Sequence, residues 1–264
     1  MSTYSLIDKS KLPSVAVIVA TLGKRNELLE KTLQSIATQK VPKLGIIMVY
    51  PLANKETARL AKKYNAISLD DTGSMSSAVN KGFRYAWDSF DYLTWIGDDD
   101  LILPDSLQHS ISALEAHKSA IGAYGYCQYI NGAGDHLFLS KAGRLAMYIA
   151  PWGPNLMPLP GSVYRSSGLQ TLEYIFDETL KYSMDLDLFL RLIKRKALIS
   201  IKFPVAAFRW HENSTTVSSR TLSLSEAAAT KRRYLSRPAT HLAPLWEFPL
   251  RLLTHIAQSR IGKK

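Results

Sequence analysis

The sequence predicts an α/β fold with a mainly parallel sheet covered by helices on both faces. Three observations point there. Short apolar, β-branched runs recur through the first half of the chain, segments of helical period lie between them, and polar clusters fall where the strand runs end. Val15 to Ala20, inside SVAVIVAT, is continuously apolar and reads as a strand buried on both sides. Asn26 to Thr38 carries leucines and isoleucine at helical spacing. Leu44 to Tyr50 is a second buried strand, Lys55 to Tyr64 a second helix, and Ala66 to Leu69 a short strand. After the polar loop at Gly73, Met75 to Ser89 forms a third helix, and Tyr92 to Ile96 is a strand running directly into Gly97-Asp98-Asp99-Asp100. Pro104 opens a helix that reaches Lys118, because a first turn has no use for the missing N–H. Ile121 to Pro160 breaks into aromatic and Gly/Pro-rich pieces, predicting a less regular region that shapes a substrate site. Glu173 to Ile201 reads as largely helical and Ile201 to Arg209 as a strand, while the apolar, basic stretch Leu245 to Ile261 suggests an interfacial helix.

Composition narrows the function classes. A chain of 264 residues, 46% hydrophobic and 21% charged, can bury one sizeable core. Its single cysteine excludes a disulfide framework and a Cys-rich metal site, and makes a reducing, cytosolic compartment the expectation. The run Val15 to Ala20 is too short for a membrane span and lacks a signal-peptide layout. With 33 Lys plus Arg against 22 Asp plus Glu, the formal charge of +11 suits nucleic acid, anionic lipid or phosphorylated small molecules. The basic residues are dispersed, however, as they are on any solubilising surface.

In a mainly parallel sheet, ligands bind outside the carboxyl ends of the strands. Three polar clusters fall there: Thr21 to Arg25, Asp70 to Gly73, and Asp98 to Asp100. Three adjacent carboxylates repel unless a cation or dense hydrogen bonding compensates, and Mg²⁺ or Mn²⁺ takes oxygen ligands while reaching nucleotides through their phosphates. In an extended segment Asp98 and Asp100 would face one way and Asp99 the other; a solvated acidic turn is the plainer alternative. Gly23 permits a tight turn, Lys24 or Arg25 can meet a phosphate, and Thr21 and Asn26 can bond a base or ribose. No GxGxxG or GxxxxGK pattern is present, which argues against the usual dinucleotide and P-loop sites. Asp71, Asn80 and Lys81 form a further cluster, in which Asn80 either serves a nucleotide or caps a neighbouring loop. Asp185, near a helix start in KYSMDLDLFLRLIKR, is equally readable as a cap or a general base. His211, in RWHENSTT, is either a metal ligand or an ordinary packed histidine. Trp152, Tyr164, Tyr182 and Trp210 can stack on sugars or fill a core.

Taken in order, these pieces resemble the family-2 inverting glycosyltransferases of GT-A fold. SVAVIVATLGKRNELLEKTLQSI is similar to their opening strand, nucleotide loop and first helix, and DDTGSMSSAVNKGFRYA to the segment before the metal site. LTWIGDDDLILPDSL resembles the strand with its DxD motif, PGSVYRSSG the acceptor side, FDETLKYSMDLDLFLRL the region of the catalytic base, and RWHENSTTVSS the segment after the last strand. The resemblance runs from about residue 14 to 220 and implies a GT-A type nucleotide-diphospho-sugar transferase fold, a mixed central sheet flanked by helices. It implies a glycosyltransferase domain over 1–220 and a basic helical extension over 221–264 that packs on the domain or faces a membrane.

By this resemblance Asp185 is the first choice for the base and Asp187 the second. Asp98, Asp100 and His211 are the implied metal ligands. Thr21, Arg25, Asp71, Asn80, Lys81, Asp98 and Asp99 are the implied nucleotide contacts. The implied cofactor is Mn²⁺ or Mg²⁺, the donor a nucleotide diphosphate sugar, and the acceptor a saccharide or glycolipid. Nucleic acid is not expected as a partner; peripheral contact with the inner face of the plasma membrane and a homodimer are both compatible. Two departures stand out. MVYPLANKE holds no Asp near Tyr50 or Pro51, so the base is not implied, and Met184 takes the place of the first carboxylate of an acidic pair. A nucleotidyltransferase on a similar α/β sheet, a retaining glycosyltransferase, and a nonenzymatic module for glycans or polyanions are the alternatives.

Overall fold

The structure, a computed structural model, describes residues 13–210 and 220–235. The first half follows the predicted alternation: β1 (Ser14–Ala20), α1 (Asn26–Ala37), β2 (Lys43–Tyr50), α2 (Lys55–Lys63), β3 (Ile67–Asp70), α3 (Met75–Ala86) and β4 (Tyr92–Gly97). A two-residue strand β5 (Leu101–Ile102) and α4 (Ser106–Ala116) follow. The second half comprises β6 (Gly122–Ile130), β7 (His136–Ser140), α5 (Leu145–Ile149), β8 (Val163–Arg165), α6 (Ser166–Leu169), α7 (Met184–Lys194), β9 (Leu198–Arg209) and α8 (Arg220–Arg232).

Two expectations require correction. The region 121–160 is not irregular throughout, because β6 is a long strand deep in the sheet. Its two glycines and alternating tyrosines, GAYGYCQYI, hide it from a search for β-branched runs. Nor is 173–201 mostly helical. Only Met184–Lys194 is α-helix, and the chain from Leu198 onward is strand. Residues 174–183 are instead held in place by side chains from α3, α7 and α8, which substitute for local backbone bonding.

Among the described residues nine strands form one sheet in the order β3-β2-β1-β4-β8-β6-β9-β5, with β7 paired to the outer part of β6. β1 to β4 are parallel, β8 is antiparallel to both β4 and β6, and β9 runs parallel to β6. The sheet is therefore mixed. All seven β1 residues are buried, with Ala16, Ile18 and Ala20 entering one core and Val15, Val17 and Val19 the other, as strand alternation requires. α3 lies so close to β1 that a Cβ on Gly82 would come within 2.6 Å of the Ile18 side chain.

The route from β4 to β5 shapes the site. Laid flat, the four strand-to-strand steps from β4 to β5 would cover about 19 Å at ~4.8 Å each. The chain from Gly97 to Leu101 reaches at most about 14 Å. The sheet therefore curls, and Asp98 to Asp100 span the gap, with the end of β9 brought beneath them.

Candidate functional site

The carboxyl ends of β1, β2, β3 and β4 lie at one edge of the sheet, since Ala20 pairs with Val49 and Gly97, and Tyr50 with Asp70. The loops that follow these strands meet there. After β1, Gly23 turns the chain at φ +68°, and an added Cβ would sit 2.2 Å from Asn54 Nδ2 and 2.3 Å from Thr57 Oγ1, so only glycine fits. Asn54 caps α2 through Thr57 N–H and also donates to the Gly23 carbonyl at 3.2 Å. Asn26 accepts from the Thr57 hydroxyl at 3.1 Å, which ties it to α2. α1 has no side-chain cap on its first turn, and its N-cap residue is Arg25.

Arg25 reaches across to the acidic turn. Its guanidinium pairs with Asp98 through one nitrogen and with Asp99 Oδ2 through the other at 2.5 Å. The Thr21 hydroxyl donates to Asp98 Oδ2 at 2.5 Å. The expectation that Asp98 and Asp100 would share one face fails, because β4 ends at Gly97 and the next residues turn instead of extending. Asp98 and Asp99 consequently share Arg25, while Asp100 folds inward. Asp100 Oδ1 accepts from the Arg209 N–H at 2.8 Å, and its carbonyl accepts from the Thr32 hydroxyl at 2.7 Å. Arg209 is itself buried and donates from Nε to the Asp99 carbonyl at 2.8 Å.

Asp98 and Asp100 are 4% and 5% exposed, which costs two carboxylates most of their hydration. Burial raises the Asp98 carboxyl above its ordinary value against the opposing pull of Thr21 and Arg25. Burial, and then the charge of Asp99, raise Asp100 well above its ordinary value despite the Arg209 N–H. Asp100 Oδ2 receives no hydrogen-bond donor among the described residues, so this oxygen is available to a cation. Those residues contain no group of three or more His, Cys, Asp or Glu side chains arranged to hold a metal. His211, the third expected ligand, lies outside the described residues.

The other predicted nucleotide contacts behave differently. Asp71 accepts from the Gly73 N–H at 2.5 Å, and Lys81 donates to the Asp70 carbonyl at 2.5 Å. Asp71 stands in the loop after β3, and Lys81 reaches the end of β3 from α3. Asn80 is 1% exposed and is committed elsewhere: Nδ2 donates to the Phe176 carbonyl at 2.9 Å and to Glu178 at 2.8 Å, and Oδ1 accepts from Phe176 N–H at 3.0 Å. It clamps a loop, as the alternative reading held, and a nucleotide would find none of its polar atoms free. Asn80→Ala would strand the buried N–H and carbonyl of Phe176 and is expected to cost roughly 2–4 kcal/mol. Urea unfolding measures this, and an unchanged midpoint would show that the loop does not depend on the clamp.

Asp185 occupies the first turn of α7 and is partly exposed. Burial of its carboxyl by the surrounding protein pushes it up to about 6, opposed by the first-turn amides and assisted by the charge of Glu226. Asp187 is fully buried, with Oδ2 accepting from Arg191 Nε at 3.0 Å and Oδ1 from the Tyr234 hydroxyl at 2.5 Å. Both oxygens are engaged, so the second choice for the base has no path to a substrate here. Its pair with Arg191 anchors the chain at Tyr174, whose carbonyl accepts from Arg191 at 2.6 Å. Tyr164 is fully buried core, whereas Trp152 is 47% exposed. Sequence reasoning missed Arg209 and Glu226. The first heads the segment RWHENSTT, in which only His211 was read as a ligand, and the second lies in the extension 221–264, which was read for its basic residues.

The stretch 245–261, expected to be interfacial, lies outside the described residues, within which no helix is long and apolar enough to cross a membrane. The sequence model of glycosyl transferase family 2 matches residues 16–157. An uncharacterized glycosyltransferase of Rickettsia typhi is 24% identical over 220 residues, covering 77% of this chain and 66% of that protein. One from Rickettsia prowazekii is likewise 24% identical over 220 residues. The chain thus spans about two thirds of the length of these relatives, at 66%. Among solved structures, S. aureus TarS 1–349 in complex with UDP-GlcNAc superposes with a TM-score of 0.64 at 17% identity, covering 87% of this chain and 70% of that one. A mannosyltransferase from Pyrobaculum calidifontis in complex with GDP-Man and Mn²⁺ gives 0.61 at 17% identity, covering 96% and 77%. At such identities the likeness shows the fold alone, a GT-A-like mixed sheet flanked by helices.

Proposed function

Because the chain belongs to glycosyl transferase family 2, we propose that it moves a sugar from a nucleoside diphosphate to a hydroxyl of a saccharide or glycolipid, inverting the anomeric carbon with the help of Mn²⁺ or Mg²⁺. The observation that carries this reading is the meeting of Thr21, Arg25 and Asp98 to Asp100 at the carboxyl ends of β1 and β4. Family membership sets aside the nucleotidyltransferase and the nonenzymatic alternatives. The two solved neighbours were crystallised with donors of different base, so the base is not carried over.

The residues present fit a divalent cation in one respect: Asp100 offers a buried carboxylate whose Oδ2 receives no hydrogen-bond donor among the described residues. Such a cation commonly takes one or two carboxylates and completes its shell with substrate phosphates and water, which accounts for the lack of a protein cage among the described residues. Asp100 would hold it, Asp98 would join only on release from Arg25 and Thr21, and when bound the cation would neutralise charge on the departing diphosphate. Arg25, now paired with Asp98 and Asp99, is the cation placed to turn toward a phosphate. Thr21 orients Asp98, and Arg209 and Thr32 fix Asp100. Asp185 accepts the proton from the acceptor hydroxyl as its oxygen attacks the anomeric carbon. The bond to the diphosphate breaks on the opposite side, and no covalent intermediate is required.

The test is a calorimetric titration of the protein with a panel of nucleoside diphosphates, with Mn²⁺ and then with excess chelator. One diphosphate is expected to bind, and only with metal. Absence of binding across the panel by folded protein would overturn the metal–nucleotide reading.

A further inference from the structure

We propose that Glu226 of α8 is a positioning residue for Asp185: it fixes the segment 181–183 that leads into α7 and brings a second negative charge to that helix start. The inference rests on the assignment of Asp185 as the base. α7 lacks a cap of its own, since the Ser183 side chain makes no capping bond to the helix it precedes. The carboxylate of Glu226 instead holds the three residues that lead into the helix. Oε1 accepts from the N–H groups of Lys181 at 3.1 Å, Tyr182 at 2.7 Å and Ser183 at 2.8 Å, and from the Ser183 hydroxyl at 3.0 Å. Oε2 accepts from Lys181 N–H at 3.0 Å. Successive N–H groups converging on one anion form a backbone nest, and a negative charge at a helix N-terminus is favoured by the peptide dipoles. Thr230, one turn further along α8 and fully buried, shares a 2.9 Å hydrogen bond with the Ser183 hydroxyl and locks the two helices together.

The consequence for Asp185 is electrostatic as well as geometric. Burial would raise the Glu226 carboxyl, but its bonds from Lys181, Tyr182 and Ser183 outweigh that and hold it below the usual range. It is therefore charged at neutral pH and opposes ionisation of Asp185. Tyr164 of β8 is held neutral by burial and by Asp185 itself, and Asp187 is covered by Arg191 and Tyr234. Met184, immediately before Asp185, brings no charge. The second carboxylate at this helix start thus comes from α8, across the fold.

The test uses the full chain with ¹³C-labelled aspartate carboxyls, the Asp185 signal being identified by its loss in D185N. Asp185 is expected to titrate near 6 in the wild type. In E226Q, which keeps the shape and removes the charge, it should titrate lower than in the wild type, with kcat reduced about 10-fold and the donor KM unchanged. An unshifted Asp185 titration in folded E226Q overturns the proposal. Should E226Q lose its fold, E226D carries the test: it keeps the charge but withdraws it by one methylene, and a wild-type kcat there overturns the positioning role. Retained turnover in D185N would overturn the base assignment instead. The carboxyl titration does not depend on turnover, so the two failures are distinguishable.

Discussion

Asp185→Asn is expected to lower kcat by about 10²–10⁴-fold, the range associated with loss of a positioned proton acceptor. Donor binding should be nearly unchanged, because the nucleotide contacts proposed above lie on other elements. The wild-type enzyme should show the matching pH dependence. A carboxyl raised to about 6 is a stronger base than an ordinary aspartate yet still mostly ionised at neutral pH, so kcat/KM should fall as pH drops through that value. The same shift has a stability consequence of definite sign. The folded state holds the Asp185 proton between the ordinary value of 3.8 and about 6, while the unfolded state has released it. Stability is therefore lost as pH rises through that window. Asp185→Asn should melt above the wild type at pH 8, with the difference vanishing near pH 4. Thermal melts at both values measure this, and an equal or lower melting temperature at pH 8 would show that the carboxylate is not destabilised in the fold. A pH-rate profile without an acid limb near 6, together with near-normal turnover of the variant, would remove Asp185 from the chemistry.

Asp100→Asn is expected to weaken metal-dependent binding of a nucleoside diphosphate by at least about 10–100-fold, the loss seen even when only the partners of metal ligands are altered. Asparagine preserves an oxygen for the Arg209 N–H and fits the same buried site, so the fold should survive. It removes the charge, and with it the penalty of a buried carboxylate near Asp99. The variant should for that reason be no less stable than the wild type. Calorimetric titration with Mn²⁺ present reads the affinity directly. Wild-type affinity in the variant would transfer the metal role to other oxygens, and binding that ignores chelator would end the metal-dependent reading.

Much of the fold was legible because its signals are local. Val15 to Ala20 and Tyr92 to Ile96 are apolar enough to be buried on both faces, and the polar clusters behind them had to emerge at the same edge of a parallel sheet. The order of motifs was likewise sufficient to point to the family that the comparisons show. β6 was missed because its two glycines weaken the strand signal and Ile130 is its one β-branched residue, and its place is decided by pairing with β8 and β9. The helical reading of 173–183 failed because Asn80, Ser76, Arg191 and Glu226 supply the hydrogen bonds that a helix would have made within itself.

By itself the sequence determined the residue types at the site and the strand ends from which they project, since both follow from hydrophobic period and turn chemistry. Only the tertiary structure decided which partner each side chain took. Asp98 and Asp99 share Arg25, Asp100 meets a backbone N–H from β9, Asn80 leaves the nucleotide side for a loop, and Glu226 takes the Ser183 N–H just ahead of Asp185. The physical reason is that these contacts bridge between about 70 and 110 positions along the chain in three cases and 43 in the last. Such contacts are set by sheet curvature and helix packing, which no local pattern encodes.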